Sequence, residues 1–317
     1  MAKVLDCIVC GSCVVDLLCR PVRLDEPIGA GVLHETEPVL LTGGGITINA
    51  GVTMARLGVH VGVFSYVGRD AWAAVVHDLL RAEGVDDGLL STHPTGATST
   101  TVVTIDAAGE RSFLHCVGAP KLLDGAALLE RLDVFARVKM LLLGYYSLMP
   151  NLEPELPRVF ERVRAAGCRT AMDAAGTGGS MQPLDRILPH LDVYVPSHSE
   201  AAHQTGLEDP ERIIKAYRDC GAKGLLGVKL GSRGVLLSSG SERFEQIDVV
   251  PPPGDVIDTT GAGDSFYAGL LTGLLQGLPV HDAGRLGAAA AACCVTAVGG
   301  STGGRDGAFT AKLAGLS

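Results

Sequence analysis

An α/β fold, with a doubly wound, mostly parallel sheet flanked by helices and a small β-sheet lid beside it, is what these 317 residues predict. Three observations predict it. Apolar strand-like runs alternate with helical patterns for most of the length, which implies parallel strands covered on both faces by helices. Glycine is abundant, at 42 residues, while aromatic residues make up only 4%, so the core is one of small aliphatic side chains with tight turns and close backbone approaches. Two stretches rich in β-type residues interrupt the alternation.

Taken in order, "KVLDCIVCG" reads as a strand, "ITINAGVTMARLG" as a helix ended by Gly58, "VHVGVFSYVG" as a strand, and "RDAWAAVVHDLLRAEG" as an amphipathic helix closed by Gly84. The rhythm returns with strand "VKMLLLG", helix "EPELPRVFERVRAAG", strand "RTAMDAA", short strand "LDVYVP", helix "SHSEAAHQTG" and strand "GLLGVKLG". The interrupting stretches are residues 20–42 and 97–117, the second split by the turn "AAGE" in a hairpin pattern, and both are assigned to the lid. No repeat, low-complexity tract or linker divides the chain, so residues 1–317 are expected to form one domain.

The formal net charge is -9 and no basic run is present, so neither a nucleic acid nor an anionic membrane surface is the expected partner; small-molecule chemistry is. The N-terminal apolar stretch is interrupted by Asp6 and Asp16 and does not read as a signal peptide. The longest uncharged run, Leu286 to Gly304, is rich in Ala, Gly, Ser and Thr and reads as a packed core helix with its following turn, so the chain is expected to be soluble. Nine cysteines without an evident disulfide framework point to a reducing cytoplasm. Cys7, Cys10 and Cys13 form C-x-x-C-x-x-C, but on a strand Cys7 and Cys10 point to opposite faces and cannot converge on one metal.

The run "IDTTGAGDSF" carries the chemistry. Apolar residues recur at Phe266, Leu270, Leu271, Leu274 and Leu275, one face of a buried helix, so Gly261, Ala262 and Gly263 stand at its amino end. Unpaired backbone N–H groups and the helix dipole make an anion site there, and glycine lets a phosphate approach the backbone. Asp264, in the first turn, either complements the dipole or serves as a base; the Gly-Ala-Gly turn favours the base, since a dipole-complementing acid needs no such turn. Anion hole and carboxylate together suit attack of a hydroxyl on a phosphoryl group. There is neither a G-x-x-x-x-G-K-[ST] loop nor a G-x-G-x-x-G fingerprint after the first strand.

"DTTGAGDSF" resembles, without substitution, the C-terminal signature of the ribokinase-like (PfkB) carbohydrate kinases. The resemblance implies a ribokinase-like fold, Asp264 as catalytic base, and an anion hole at Gly261, Ala262 and Gly263. It extends from about residue 5 to 310. "GSCVVDLL" resembles the family's first-strand segment and carries over Asp16 as a substrate ligand; "GGGITIN" carries over Gly44, Gly45 and Asn49 for the same substrate. "GVFSYVGRDAWA" resembles a turn in which Gly68 and Asp70 start a helix, a structural role. "KLGSRGV" resembles the loop beneath the ATP phosphates and ribose, with Lys229, Gly231, Ser232 and Gly234, Lys229 either pairing with a phosphate or extending to solvent. "RLGAAAAACCVTAVGG" resembles the element flanking adenine, with Ala288 and Ala292 leaving room for the base or simply packing.

Two departures stand out. Where relatives show N-x-x-E, this chain has Ser197-His198-Ser199-Glu200; the resemblance implies that Glu200 still holds Mg²⁺ through water. Ribokinases carry a substrate-contacting Glu after the middle strand, where this chain has Tyr145 and Tyr146. His115, in the lid, either reaches the substrate or lies on the surface. The resemblance also offers a K⁺ site beside the anion hole, with oxygens from Asp258, Thr260 and the turn around Ser301.

The resulting expectation is an ATP-dependent kinase acting on a hydroxymethyl group of a sugar or sugar-like polyol, with ATP and Mg²⁺, and K⁺ as a further candidate. A nucleoside kinase of the same fold and a non-catalytic sugar or nucleotide sensor are the alternatives. A homodimer formed through the lid is expected because exposed β edges invite pairing.

Overall fold

The structure, a computed structural model, describes residues 5–25, 29, 31 and 33–316. Nine strands form the main sheet in the order β13-β12-β11-β10-β9-β8-β1-β4-β5, and four form a second sheet in the order β3-β2-β6-β7. The main-sheet strands are β1 (Cys7–Cys10), β4 (Val61–Val67), β5 (Asp86–Thr92), β8 (Met140–Leu143), β9 (Arg169–Met172), β10 (Val193–Tyr194), β11 (Leu225–Lys229), β12 (Val235–Gly240) and β13 (Arg243–Ile247). Those of the small sheet are β2 (Val14–Cys19), β3 (Leu40–Gly44), β6 (Ser99–Ile105) and β7 (Arg111–Cys116).

From β5 to β11 every pairing of the main sheet is parallel, and an antiparallel hairpin, β12–β13, closes one edge. The strand order reverses at β1, which lies between β4 on one side and β8 on the other. Such a reversal opens a crevice outside the carboxyl ends of the two diverging strands, where open α/β sheets bind their ligands. The two faces bury separate clusters: Cys7 and Val9 pack into one, Ile8 and Cys10 into the other. The strand period therefore separates Cys7 from Cys10 as the sequence predicts, and Cys7, Cys10 and Cys13 are free and buried.

The small sheet differs from expectation in its limits. Its first strand is Val14–Cys19, not the 20–42 segment, of which only Leu40–Gly44 is strand among the described residues; residues 26–28, 30 and 32 lie outside them. "CIVCGSCVVDLL" is thus divided into β1, a three-residue connection and the start of β2, with "GSCVVDLL" lying wholly after β1. Periodicity could not mark that boundary, because both strands are apolar and Gly11, at φ 141°, turns the chain from one sheet to the other within three residues. The 97–117 segment is the predicted hairpin. β2 joins β3 antiparallel and β6 parallel, so the small sheet is mixed.

The helix Ala262–Leu275 is buried on most sides and packs against the helix Val280–Cys294. Phe266, Leu270 and Leu271 are within its buried face, each worth about 2 kcal/mol on burial. The Leu286–Gly304 run forms the end of the second helix and the turns after it, and among the described residues no helix is long and apolar enough to cross a membrane. Asp70 caps its helix as predicted, accepting from the Ala73 amide at 3.1 Å, and also ties the start of β6 through Thr98 at 2.7 Å.

Candidate active site

Parallel strands deliver their following residues to one edge. Gly11 and Ser12 follow β1, Gly144 and Tyr145 follow β8, Asp173 follows β9, Ser197 follows β10, and Lys229 ends β11. The amino end of the helix Ala262–Leu275 meets them there, bringing Asp264.

Asp264 is 5% exposed. Its Oδ2 accepts hydrogen bonds from Tyr145 Oη at 2.7 Å and from Asn49 Nδ2 at 2.8 Å. Its Oδ1 receives no hydrogen bond from the described residues and is not sealed from solvent. Burial raises the Asp264 carboxyl above its ordinary range, while Asn49, Tyr145 and the Lys229 charge oppose the rise. Tyr145 is the one non-glycine described residue with positive φ, at 61°. That conformation costs a tyrosine about 1 kcal/mol, and it aims the phenol at the base.

The turn ahead of Asp264 depends on Gly261, whose φ of 75° and close approach to the Gly300 carbonyl leave no room for a Cβ. Of the amides expected in the anion hole, that of Ala262 donates to the Thr259 carbonyl at 3.3 Å. Those of Gly263 and of Asp264 itself meet no acceptor among the described residues, as the first turn of a helix requires. Lys229 stands beside them: its Nζ lies 3.5 Å from where a Cβ on Gly263 would sit. The ammonium does not extend to solvent. It pairs with Asp173 Oδ1 at 3.0 Å, with side chains 14% and 3% exposed, and lies over the Tyr267 ring. Burial pushes the Asp173 carboxyl up to about 7 against the pull of Lys229.

A cavity of about 310 Å³ opens at the strand reversal, between the main sheet and the small one, lined by Ser12, Asp16, Gly45, Thr101, His115 and Tyr145 among others. Asp16 faces it from β2, and a Cβ on Gly44 would overlap the Asp16 carboxylate, so the bare backbone at 44 makes room for the acid. Burial raises the Asp16 carboxyl, offset by Thr101 and by His115, whose Nδ1 lies 3.1 Å from Thr101 Oγ1. Asn49, expected among the substrate ligands, is directed instead to Asp264 and does not line the cavity. Asp264 stands one side chain behind the cavity wall, behind Tyr145.

Gly231, Ser232 and Gly234 form the turn after β11, exposed at Gly231 and Ser232. Ala288 and Ala292 are buried in a small cluster with Val250, Ala289 and Ala314, so packing alone accounts for their size. Glu200 closes a capping box with Ser197, its Oε2 accepting the Ser197 amide at 2.7 Å, and its other oxygen has no partner among the described residues. The serine that replaces asparagine therefore builds the helix start. Among the described residues no cluster of three or more His, Cys, Asp or Glu could cage a metal. One free carboxylate oxygen fits Mg²⁺ that arrives on the nucleotide and keeps its water, which is the way this ion is commonly held.

The oxygens expected to hold K⁺ are engaged. Asp258 Oδ1 pairs with Arg111 Nη2 at 2.9 Å and accepts the Thr260 amide at 2.8 Å, and its Oδ2 accepts the Gly299 amide at 2.9 Å. Thr260 Oγ1 accepts from Arg111 Nη1 at 2.8 Å, and the Ser301 carbonyl accepts from Arg56 Nη1 at 2.6 Å. Sequence reasoning missed Arg111, Thr101 and Asp173. Only Asp173 carried a signal, as an acid at the carboxyl end of a buried strand.

Comparison with known proteins agrees with this architecture. The model of the pfkB family carbohydrate kinases matches residues 5–306. The ribokinase of Haemophilus influenzae is 28% identical over 263 residues, 81% of this chain and 82% of its own. The fructokinase of Klebsiella pneumoniae is 32% identical over 286 residues, 86% of this chain and 85% of its own. The solved structure of Arabidopsis thaliana ribokinase, complexed with ribose and ATP, superposes with a TM-score of 0.85 at 24% identity, covering 99% of this chain and all of that one. The family implies ATP and Mg²⁺ as partners of the reaction. On the match to nearly its whole length, this chain belongs to the pfkB family of carbohydrate kinases and is an ATP-dependent sugar kinase.

Proposed function

We propose that the chain transfers the γ-phosphoryl group of ATP to a hydroxymethyl group of a monosaccharide or sugar-like polyol seated in the cavity between Asp16 and Tyr145. The observation that carries this reading is the pairing of a base with an anion hole: Asp264, with one oxygen fixed by Asn49 and Tyr145 and the other free, at a helix end whose Gly263 and Asp264 amides are unpaired.

In this reading Asp16, with Thr101 and His115 beside it, orients the acceptor's hydroxyls, Gly44 makes room for that carboxylate, and Gly45 lines the cavity in which the sugar lies. Asn49 and Tyr145 hold the base. The acceptor hydroxyl donates its proton to Asp264 Oδ1 as it attacks. The amides of Gly263 and Asp264 and the Lys229 ammonium stabilise the negative charge on the migrating phosphoryl group, Lys229 exchanging part of its contact with Asp173 for a phosphate oxygen. Gly231, Ser232 and Gly234 run beneath the nucleotide, Ala288 and Ala292 flank its base, and Mg²⁺, supplied with ATP, neutralises phosphate charge with water held by Glu200. The small sheet acts as a lid that excludes water, a competing acceptor. Phe113 and Leu114 on its β7 edge and Leu40 and Leu41 on its β3 edge are exposed, which supports pairing of two lids in a homodimer.

The test is a coupled ADP-release screen over pentoses, hexoses, keto-sugar acids, inositols and nucleosides with Mg²⁺, scored for acceptor-dependent turnover. ADP release stimulated by a monosaccharide or polyol supports the reading. Stimulation by nucleosides alone, or by nothing in the panel, overturns it.

A further inference from the structure

Two loops flank the anion hole, residues 258–261 ahead of it and 299–304 beside it, and each is held by a guanidinium group from elsewhere in the chain. Arg111 begins β7 of the lid, directly after a hairpin turn in which Asp106 Oδ1 accepts the amides of Ala108 and Glu110 at 2.8 and 2.9 Å. From that built position it forms a fork on the first loop, with Nη2 on Asp258 Oδ1 and Nη1 on Thr260 Oγ1. Arg56 ends the helix Gly45–Arg56, is anchored bidentately on Glu83 at 2.7 and 2.8 Å, and donates to the carbonyls of Ser301 and Gly304. Asp258 Oδ2, on the Gly299 amide, ties the two loops together. The carbonyls of Thr260 and Gly300 face the Cys294 thiol at 3.4 and 3.2 Å.

A monovalent cation at this place would need those same oxygens, and both Asp258 oxygens, Thr260 Oγ1 and the Ser301 carbonyl already accept from donors, while the single Cys294 proton serves one of the two remaining carbonyls. Asp258 is nearly sealed, with its side chain 3% exposed, and a buried carboxylate requires a compensating charge. Arg111 supplies one, with a planar fork that matches a carboxylate–hydroxyl pair better than a spherical ion does. Arg111 belongs to β7 of the small sheet, so its contact joins that sheet directly to the loop ahead of the anion hole.

We infer that Arg111 is the resident cation of the Asp258–Thr260 pair, a positioning residue that couples lid closure to an ordered anion hole and removes any need for K⁺. The inference rests on the reading of the 261–264 turn as the phosphoryl site. Opening the lid withdraws the guanidinium and loosens the loop that sets Gly261; closing it restores both. Nothing is transferred to or from Arg111.

The test measures two things at constant ionic strength, in KCl and in tetramethylammonium chloride: affinity for a non-hydrolysable ATP analogue with Mg²⁺ by calorimetry, and kcat with whichever acceptor the screen finds. Wild type is expected to give the same values in both salts. Arg111→Met should lower kcat by about 10²-fold, since misplacing a catalytic loop has that scale of effect, with a smaller change in acceptor KM. It should also weaken analogue binding and become responsive to KCl or to added guanidinium. Arg111→Lys should recover part of both. Marked stimulation of the wild type by K⁺, or wild-type kcat and analogue affinity in Arg111→Met, overturns the inference. If Arg111→Met does not fold, the salt comparison on wild type and Arg111→Lys decides. If no acceptor is phosphorylated, the sugar-kinase reading fails while analogue binding still judges the role of Arg111.

Discussion

Tyr145 donates a 2.7 Å hydrogen bond to Asp264 from 119 residues away in the chain, and does so from a left-handed backbone conformation that a tyrosine adopts only under constraint. The strand β8 ends two residues earlier, at Leu143, so the strain is placed where the chain leaves the sheet to form the cavity wall. Asn49 completes the arrangement on the same carboxylate oxygen. The base is thus held rigidly on one side and left open on the other.

This arrangement predicts a pH dependence. Asp264 acts as a base only when ionised, and burial raises its carboxyl, so kcat should fall with decreasing pH through a limb lying above the ordinary carboxylate range. Tyr145→Phe removes a donor to the ionised form, so the limb should move to still higher pH. Profiles of kcat against pH for both proteins check this; a limb that stays put or moves down in the variant contradicts the role of the phenol.

Lys229 and Asp173 predict a pH-dependent stability. Asp173, raised by burial to about 7, keeps its proton in the native state at pH values where the unfolded chain has lost it. Its contribution to stability is therefore full below the unfolded value and is lost as pH rises through about 7. Lys229→Met removes the charge that opposes this loss and leaves a buried acid unpaired, so it should destabilise by about 3 kcal/mol at pH 8 and by less at pH 5. Denaturant unfolding of Lys229→Met and of the double variant with Asp173→Asn measures it, the double variant recovering much of the difference.

How far the site is legible in the sequence follows from the range of the interactions. Asp264 and its glycine turn lie within a few residues of one another, so the helix periodicity behind them locates the anion hole. Asp70 is legible for the same reason. The passage of "CIVCGSCVVDLL" from one sheet to the other is not, because an apolar run reports burial without saying in which sheet. The antiparallel hairpin β12–β13 is not legible either, because β12 follows β11 through a five-residue connection, 230–234, rather than a helix of the alternating pattern. The direction of Asn49 toward Asp264, and the fork of Arg111 on a hydroxyl 149 positions away, are products of chain closure that local pattern does not encode.

Gly261 gives a third prediction. A methyl group there faces the Gly300 carbonyl and must adopt a positive φ, which costs an alanine about 1–2 kcal/mol before any clash is counted. Gly261→Ala should therefore lower the unfolding midpoint by more than the positive φ alone would, since the clash is with the Gly300 backbone, and weaken nucleotide binding strongly, because the turn that presents the Gly263 and Asp264 amides has to shift. Thermal unfolding together with calorimetry on the ATP analogue separates the two effects; unchanged nucleotide affinity would remove the turn from the phosphate site.

The account depends most on Asp264 as the proton acceptor for the incoming hydroxyl. Its most direct measurement is steady-state phosphoryl transfer by Asp264→Asn, alongside nucleotide affinity, using the best acceptor from the ADP-release screen. Asparagine keeps the shape and the hydrogen bonds' reach while losing basicity, so kcat should drop by about 10²- to 10⁴-fold with nucleotide affinity retained. Wild-type turnover in that variant would contradict the assignment of Asp264.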